Sequence, residues 1–239
     1  MAATAVLATL TGTTSAGAPP LSKLRVCGHD RVPFTGSECR RDQSGAALMA
    51  NEFDCSVRIA ISRPATLRAQ FRYQGALQHQ YTEHLGRGSG TRVIGVYFFH
   101  TKMPAGRYSC RFTLGGHSLD ASFRSSGPAA NVLGPSVCLA THRVGSNECR
   151  RDEGNAALPA TKGITCDAVF ARERGRVATV ELLDEAGHVV ATQQDSLNYP
   201  ITEAGATFMS GGGAFSPGTY DCSFSVGSAR ADRRFQISG

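Results

Sequence analysis

The sequence predicts an all-β fold built as two tandem β-sandwiches, each held by two disulfides. Three observations carry that expectation. Eight cysteines divide into two sets of four. The residues around them recur one domain-length later. Short apolar–polar alternations, punctuated by Gly and Pro, run through the 239 residues.

The duplication is read from spacing. Cys27, Cys39, Cys55 and Cys110 are followed by Cys138, Cys149, Cys166 and Cys222, at offsets of 111, 110, 111 and 112 residues. Ser37-Glu-Cys-Arg-Arg-Asp42 returns as Asn147-Glu-Cys-Arg-Arg-Asp152, and Ala46-Ala47-Leu48 as Ala156-Ala157-Leu158. Such a period is too long for a solenoid repeat and fits a whole domain. The chain therefore divides into a segment at 1–20, a first domain at 21–125, a linker at 126–135 and a second domain at 136–239. Pro128 and Pro135 make the linker semi-stiff. An even cysteine count without any C-x-x-C pair points to disulfides rather than zinc, and so to an oxidising compartment. Spacing alone does not choose among the pairings.

Composition agrees. With 27 Gly and only 18% charged residues, the chain is neither polar enough for wholesale disorder nor periodic enough for a coiled coil. The net charge of +6 is uneven. Residues 21–127 hold 15 Lys/Arg against 7 Asp/Glu, a net +8, and residues 128–239 hold 10 against 12, a net −2. A positive field on one domain attracts anionic surfaces or polymers and weakens with salt. Met1 to Ala18 reads as the back half of a secretory leader, with Ala16-Gly17-Ala18 before Pro19-Pro20, or as a disordered tail. Elsewhere no apolar run approaches the ~20 residues of a membrane-spanning helix.

Along the first repeat, Leu24 to Cys27 reads as a short strand and residues 28–52 as loop. A strand follows at about 53–61, with Cys55, Val57, Ile59 and Ile61 on one face. Leu67, Ala69, Phe71 and Tyr73 alternate as the next strand. Residues 74–90, with four glycines, read as a mobile loop. Arg92 to His100 is a strong β run, and the strand carrying Tyr108, Cys110, Phe112 and Leu114 turns at Gly115-Gly116 into one carrying Leu119, Ala121 and Phe123. In the second repeat, strands at 177–183, 189–192 and 207–215 and the Cys222 strand correspond. Residues 193–206 read as loop, and Phe235 and Ile237 close the core.

The stretches Pro104-Ala-Gly-Arg-Tyr-Ser-Cys-Arg-Phe112 and Ser216-Pro-Gly-Thr-Tyr-Asp-Cys-Ser-Phe224 each place a Tyr two residues before a Cys, after a Pro/Gly turn. This signature resembles the tyrosine-corner strand of immunoglobulin-like domains found in bacterial extracellular proteins. The resemblance covers both repeats. It implies that Cys55 bridges Cys110 and Cys166 bridges Cys222 between the sheets, leaving Cys27–Cys39 and Cys138–Cys149 to close small loops. It also implies a non-catalytic module for adhesion, spacing or ligand display. The chain departs from antibody domains in having no Trp, so Phe71 in one copy and Val180 or Leu182 in the other must pack on the bridge.

No motif for chemistry stands out. There is no G-x-S-x-G elbow, H-E-x-x-H, phosphate loop or calcium loop. His79, Glu83 and His84 are the one local metal-ligating combination, and they read as exposed loop polarity. No catalytic residue, metal or cofactor is expected. Arg58, Arg68 and Arg72 fall on polar alternates and read as an outward basic stripe for an anion. Arg40 and Arg41, beside a cysteine in the repeated Cys-Arg-Arg-Asp, are further anion-binding candidates because a guanidinium fork takes carboxylate or phosphate bidentately. In the same motif Asp42 and Asp152 read as turn caps. Nucleic acid is a disfavoured partner, since Phe71 and Tyr73 take the opposite face from the arginines. The expectation is a secreted, periplasmic or cell-surface binding, adhesion or spacer module whose basic first domain engages an acidic envelope polymer, cell surface or partner protein. The alternative is a structural subunit of a filament or coat that self-assembles through sheet edges, the apolar run at 93–99 among them.

Overall fold

The structure is a computed structural model that describes residues 20–30, 38–145 and 147–239; the leader-like segment at 1–18 lies outside them. β-branched and aromatic residues at alternate positions set the strands. The first half comprises β1 (Leu21–His29), β2 (Ala47–Leu48), β3 (Glu52–Ile61), β4 (Ala65–Tyr73), β5 (Ala76–Leu85), β6 (Gly88–Tyr97), β7 (Gly106–Leu114) and β8 (His117–Ser125). The second comprises β9 (Val132–Leu139), β10 (Arg143–Val144), β11 (Glu148–Cys149), β12 (Gly163–Ala171), β13 (Val177–Leu183), β14 (Val189–Ser196), β15 (Ile201–Met209), β16 (Gly218–Val226) and β17 (Ala229–Ile237). The described residues are all β, with no helix.

The sheets repeat. In the first half β1-β3-β6 faces β2-β8-β7-β4-β5; in the second, β9-β12-β15 faces β14-β13-β16-β17. All consecutive pairings in these sheets are antiparallel except the short β2–β8 contact. Gly115 and Gly116, at φ +55° and +84°, make the two-residue turn that joins β7 to β8.

Inward-facing residues fill the space between sheets. Phe53, Phe71, Tyr73, Tyr108 and Phe112 are fully buried in the first half, and Phe170, Phe224 and Phe235 nearly so in the second. Cys55–Cys110 and Cys166–Cys222 bridge the facing sheets, and Cys27–Cys39 and Cys138–Cys149 close the short loops, two disulfides per half. Four disulfides fit an oxidising extracellular or periplasmic environment. Phe71 lies directly across from Cys110, and Leu182 across from Cys222, on the neighbouring strand of the same sheet. The tyrosine hydroxyls donate back along the chain, Tyr108 to Pro104 O at 2.8 Å and Tyr220 to Ser216 O at 3.0 Å.

The aspartates of the repeated polar text are structural. Asp42 Oδ1 accepts from the backbone N–H of Val26 and Ser44, and Asp152 Oδ1 from those of Val137 and Gly154, at 3.0–3.2 Å. The Ala-Ala-Leu echo lays Leu48 parallel to β8 and Leu158 parallel to β17.

Several expectations change. Residues 74–90 are not a loop: β5 takes 76–85 with Tyr81 and Leu85 turned inward, Gly75 and Gly86 flank it, and Gly88 and Gly90 already belong to β6. Residues 193–206 likewise hold the end of β14 and the start of β15. β9 begins at Val132, within the stretch read as linker. The run at 93–99 lies on edge strand β6 only as far as Tyr97; Ile94 and, past the strand, Phe98 are buried in the core and Val96 packs against it.

The two halves share packing. Leu133, Val169, Ala171 and Ile201 of the second half belong to the apolar cluster of the first. Gln78 Nε2 donates to Ile201 O at 2.6 Å while Ile201 N donates to Gln78 Oε1 at 2.9 Å, so one side-chain amide stands in for a strand partner. Arg172 adds hydrogen bonds to Ala105 O and Ala129 O.

Candidate functional site

Two arrangements of side chains stand apart from the fold's own needs. The first is basic. Topology splits Arg58, Arg68 and Arg72: β3 belongs to one sheet and β4 to the other, so Arg58 points away from one outer face and Arg68 and Arg72 from the opposite one. A sequence alternation places residues on the two sides of a strand but does not say which sheet holds the strand, and the single stripe does not form. Arg68 is further engaged with Gln80, and Arg72 with Gly75 O and Gln70. By contrast, Arg40 and Arg41 are exposed, and among the described residues their guanidinium groups have no partner. They line a cleft of about 750 Å³ together with His29 and Glu38, beside the Cys27–Cys39 bridge. The second half presents Arg143, Arg150 and Arg151 in a cleft of about 550 Å³ at the corresponding loop. There Glu153 offsets the charge, 3.6 Å from Arg151 and 2.8 Å from His142.

The second arrangement is acidic and buried. His100 follows β6 in the first half; Asp167 lies on β12 and Glu203 on β15 in the second. His100 Nδ1 lies 3.9 Å from Asp167 Oδ2 and 3.7 Å from Glu203 Oε1, with side-chain exposures of 5%, 0% and 10%. Asp167 is oriented by Ser136 Oγ, which donates to Oδ1, and by Cys149 N–H, which donates to Oδ2 at 3.0 Å. Burial raises the Glu203 carboxyl well above the usual carboxylate range, and the neighbouring charges of Asp167 and Glu148 add to the rise. Burial likewise raises Asp167, opposed by His100, and raises half-buried Glu148, to which Asp167 adds. The halves come very close here. Gly134 has φ +52°, and a Cβ on it would sit 2.6 Å from Thr101 Cβ and 3.1 Å from His100 Cδ2.

These residues were missed in the sequence because they are far apart in the chain and occur once. One signal was available: Asp167 is the lone charge in Gly163–Ala171, a strand whose every residue is buried, and a buried charge requires a partner. A further grouping, Cys27, His29 and Asp54, offers no thiolate because Cys27 is bridged to Cys39. His79, Glu83 and His84 do not converge: Glu83 is bidentate to Arg92 at 2.6 and 2.8 Å, and His84 meets Thr66. No helix among the described residues is long and apolar enough to cross a membrane.

No family model matches the chain, and no curated protein matches it. Among solved structures, it is similar to a β-glucuronidase of Bifidobacterium dentium (TM-score 0.26, 11% identity, 79% of this chain and 40% of that one). It is also similar to β-glucuronidases of Ruminococcus gnavus (TM-score 0.25, 9% identity, 78% and 36%) and Lactobacillus rhamnosus (TM-score 0.24, 13% identity, 78% and 35%). The chain spans 40% or less of the length of these proteins, and similarity at this level says nothing of its activity.

Proposed function

We propose that the chain is a secreted, periplasmic or cell-surface module of two immunoglobulin-like domains that works by binding or spacing, without catalysis. The strand order β1-β3-β6 against β8-β7-β4-β5, its copy in the second half, and the two tyrosine hydroxyls bonded four residues upstream support the immunoglobulin-like reading. The ligand class is an anionic polymer or surface, engaged chiefly by the first domain. The observation that carries this is the Arg40–Arg41 pair, exposed in a cleft, without a guanidinium partner among the described residues, and set in a half with net charge +8. A guanidinium pair so placed can take sulfate, phosphate or carboxylate groups bidentately without giving up an internal bond.

Retention on a heparin column tests it. The full chain should bind at low salt and elute as the screening length falls toward about 3 Å at 1 M. Arg40→Ala/Arg41→Ala should weaken binding at least about tenfold, equivalent to about 1.4 kcal/mol. Arg58→Ala/Arg68→Ala/Arg72→Ala should matter less. Unaltered binding by the Arg40/Arg41 variant removes this reading.

One feature favours a second reading, a filament or coat subunit. β14 is an edge strand on which Val189 and Val190 are 54% and 48% exposed, an arrangement open to strand pairing with another copy. Light scattering that gives a monomer mass at all concentrations counts against it.

A further inference from the structure

We infer that His100, Asp167 and Glu203 form a site for one divalent d-block cation, of the zinc class, that ties the two halves together. Their ligand atoms, one from each residue, all lie within 4.8 Å of one another. Two carboxylates alone would be only an acidic cluster. The independent observation is the imidazole: the His100 side chain is 5% exposed and turned between the carboxylates, yet neither ring nitrogen has a hydrogen-bond partner. Glu203 Oε1 is also without one. An imidazolium held simply as an ion pair would close to about 2.7–2.9 Å on a carboxylate oxygen. Here Nδ1 stands back at 3.7 and 3.9 Å from both.

That spacing suits an ion shared between the groups. Zinc binds His N and carboxylate O at about 2.0–2.2 Å, which places tetrahedral ligand atoms about 3.3–3.6 Å apart. The 3.7 and 3.9 Å separations from His100 Nδ1 need to contract by only a few tenths of an ångström. Asp167 is already aimed by Ser136 and by the Cys149 amide, the kind of outer hydrogen bonding that orients metal ligands. Three protein donors leave a fourth position of a tetrahedral ion to water. One nitrogen with two carboxylates selects a transition cation over calcium, which takes six to eight oxygens. The donors come from both halves, so occupancy would lock their relative placement.

The experiment uses the full chain stripped with chelator and dialysed against Zn²⁺. Metal analysis should find one Zn²⁺ per chain, and the thermal midpoint should rise with Zn²⁺ as binding to the folded state requires. His100→Ala should lose both the ion and the midpoint rise. Glu203→Gln, which keeps shape and does not disturb the Asp167 bonds to Ser136 and Cys149, should bind at least tenfold more weakly. His142→Ala/His188→Ala, which removes two exposed imidazoles elsewhere, should keep the ion. The inference is overturned if the folded wild type takes up no Zn²⁺, if His100→Ala binds as the wild type does, or if the ion leaves with His142 and His188. Heparin retention is read separately, so failure here leaves the anion-binding reading standing, and the reverse.

Discussion

Replacing Tyr108 by Phe removes one oxygen and leaves the ring, which stacks on Phe123 at 5.4 Å and meets Phe53 edge-on at 5.1 Å. What is lost is the 2.8 Å bond to Pro104 O. Tyr108 is fully buried and Pro104 lies in a buried turn, so water does not readily replace the hydroxyl. A buried carbonyl left without its donor costs about 1–3 kcal/mol. The second copy provides the comparison. Tyr220 makes the same bond to Ser216 O at 3.0 Å, but Tyr220 is 9% exposed and Ser216 is open to solvent. Water can satisfy that carbonyl, and Tyr220→Phe should cost about 0.5–1.5 kcal/mol. Urea denaturation of both full-length variants reads the difference: with m near 2 kcal/mol/M, a loss of about 2 kcal/mol moves the midpoint by about 1 M. If Tyr220→Phe loses as much as Tyr108→Phe, solvent access to the carbonyl is not what sets the size of the effect, and the reasoning fails.

Two further predictions concern contacts between sheets and between halves. Gly134→Ala should destabilise the chain by about 1–3 kcal/mol through overpacking against Thr101 and His100, read as a lower thermal midpoint, whereas a neutral result would mean the halves separate there at no cost. Arg92 lowers the Glu83 carboxyl by hydrogen bonding to it, so the pair's contribution is full above the ordinary carboxylate range and fades as pH falls through the lowered value. Because the pair is exposed, Glu83→Gln should cost about 0.2–1 kcal/mol at pH 7 and nothing in strong acid; a constant difference across that range would exclude the ion pair as its source.

Much of the architecture could be read from the residues because each relevant signal is local or duplicated. The cysteine offsets mark the repeat, and the Tyr-x-Cys strands and their apolar alternation mark the sheets. The Asp42 and Asp152 caps need only their own loops. Three things depended on tertiary placement. β5 reads as a glycine-rich loop because Gly75 and Gly86 flank it and Gly88 and Gly90 open β6, while its own side chains are mixed in character. Arg58 and Arg68 share a polarity pattern but stand on opposite sheets. His100 meets Asp167 across 67 residues of chain, through a packing of one half on the other that no periodicity encodes.

Apart from the paired arginines, what duplication keeps is structural. Features kept in both copies, the disulfides, the aspartate caps, the Leu48 and Leu158 contacts and the tyrosine bonds, all hold a sandwich together. The buried site is made where the copies differ. At the position that holds Asp167, 111 residues earlier the first copy has Ser56. Gly134 corresponds in the same way to Lys23, and both take positive φ, +52° and +51°. The backbone bend is therefore common to both copies and tolerates a side chain, since Lys23 is exposed and points into solvent. Gly134 is needed for a different reason: Thr101 and His100 of the other half press against it. Glycine at 134 and aspartate at 167 thus serve one purpose. The first lets the halves approach, and the second supplies the charge that faces His100 once they have.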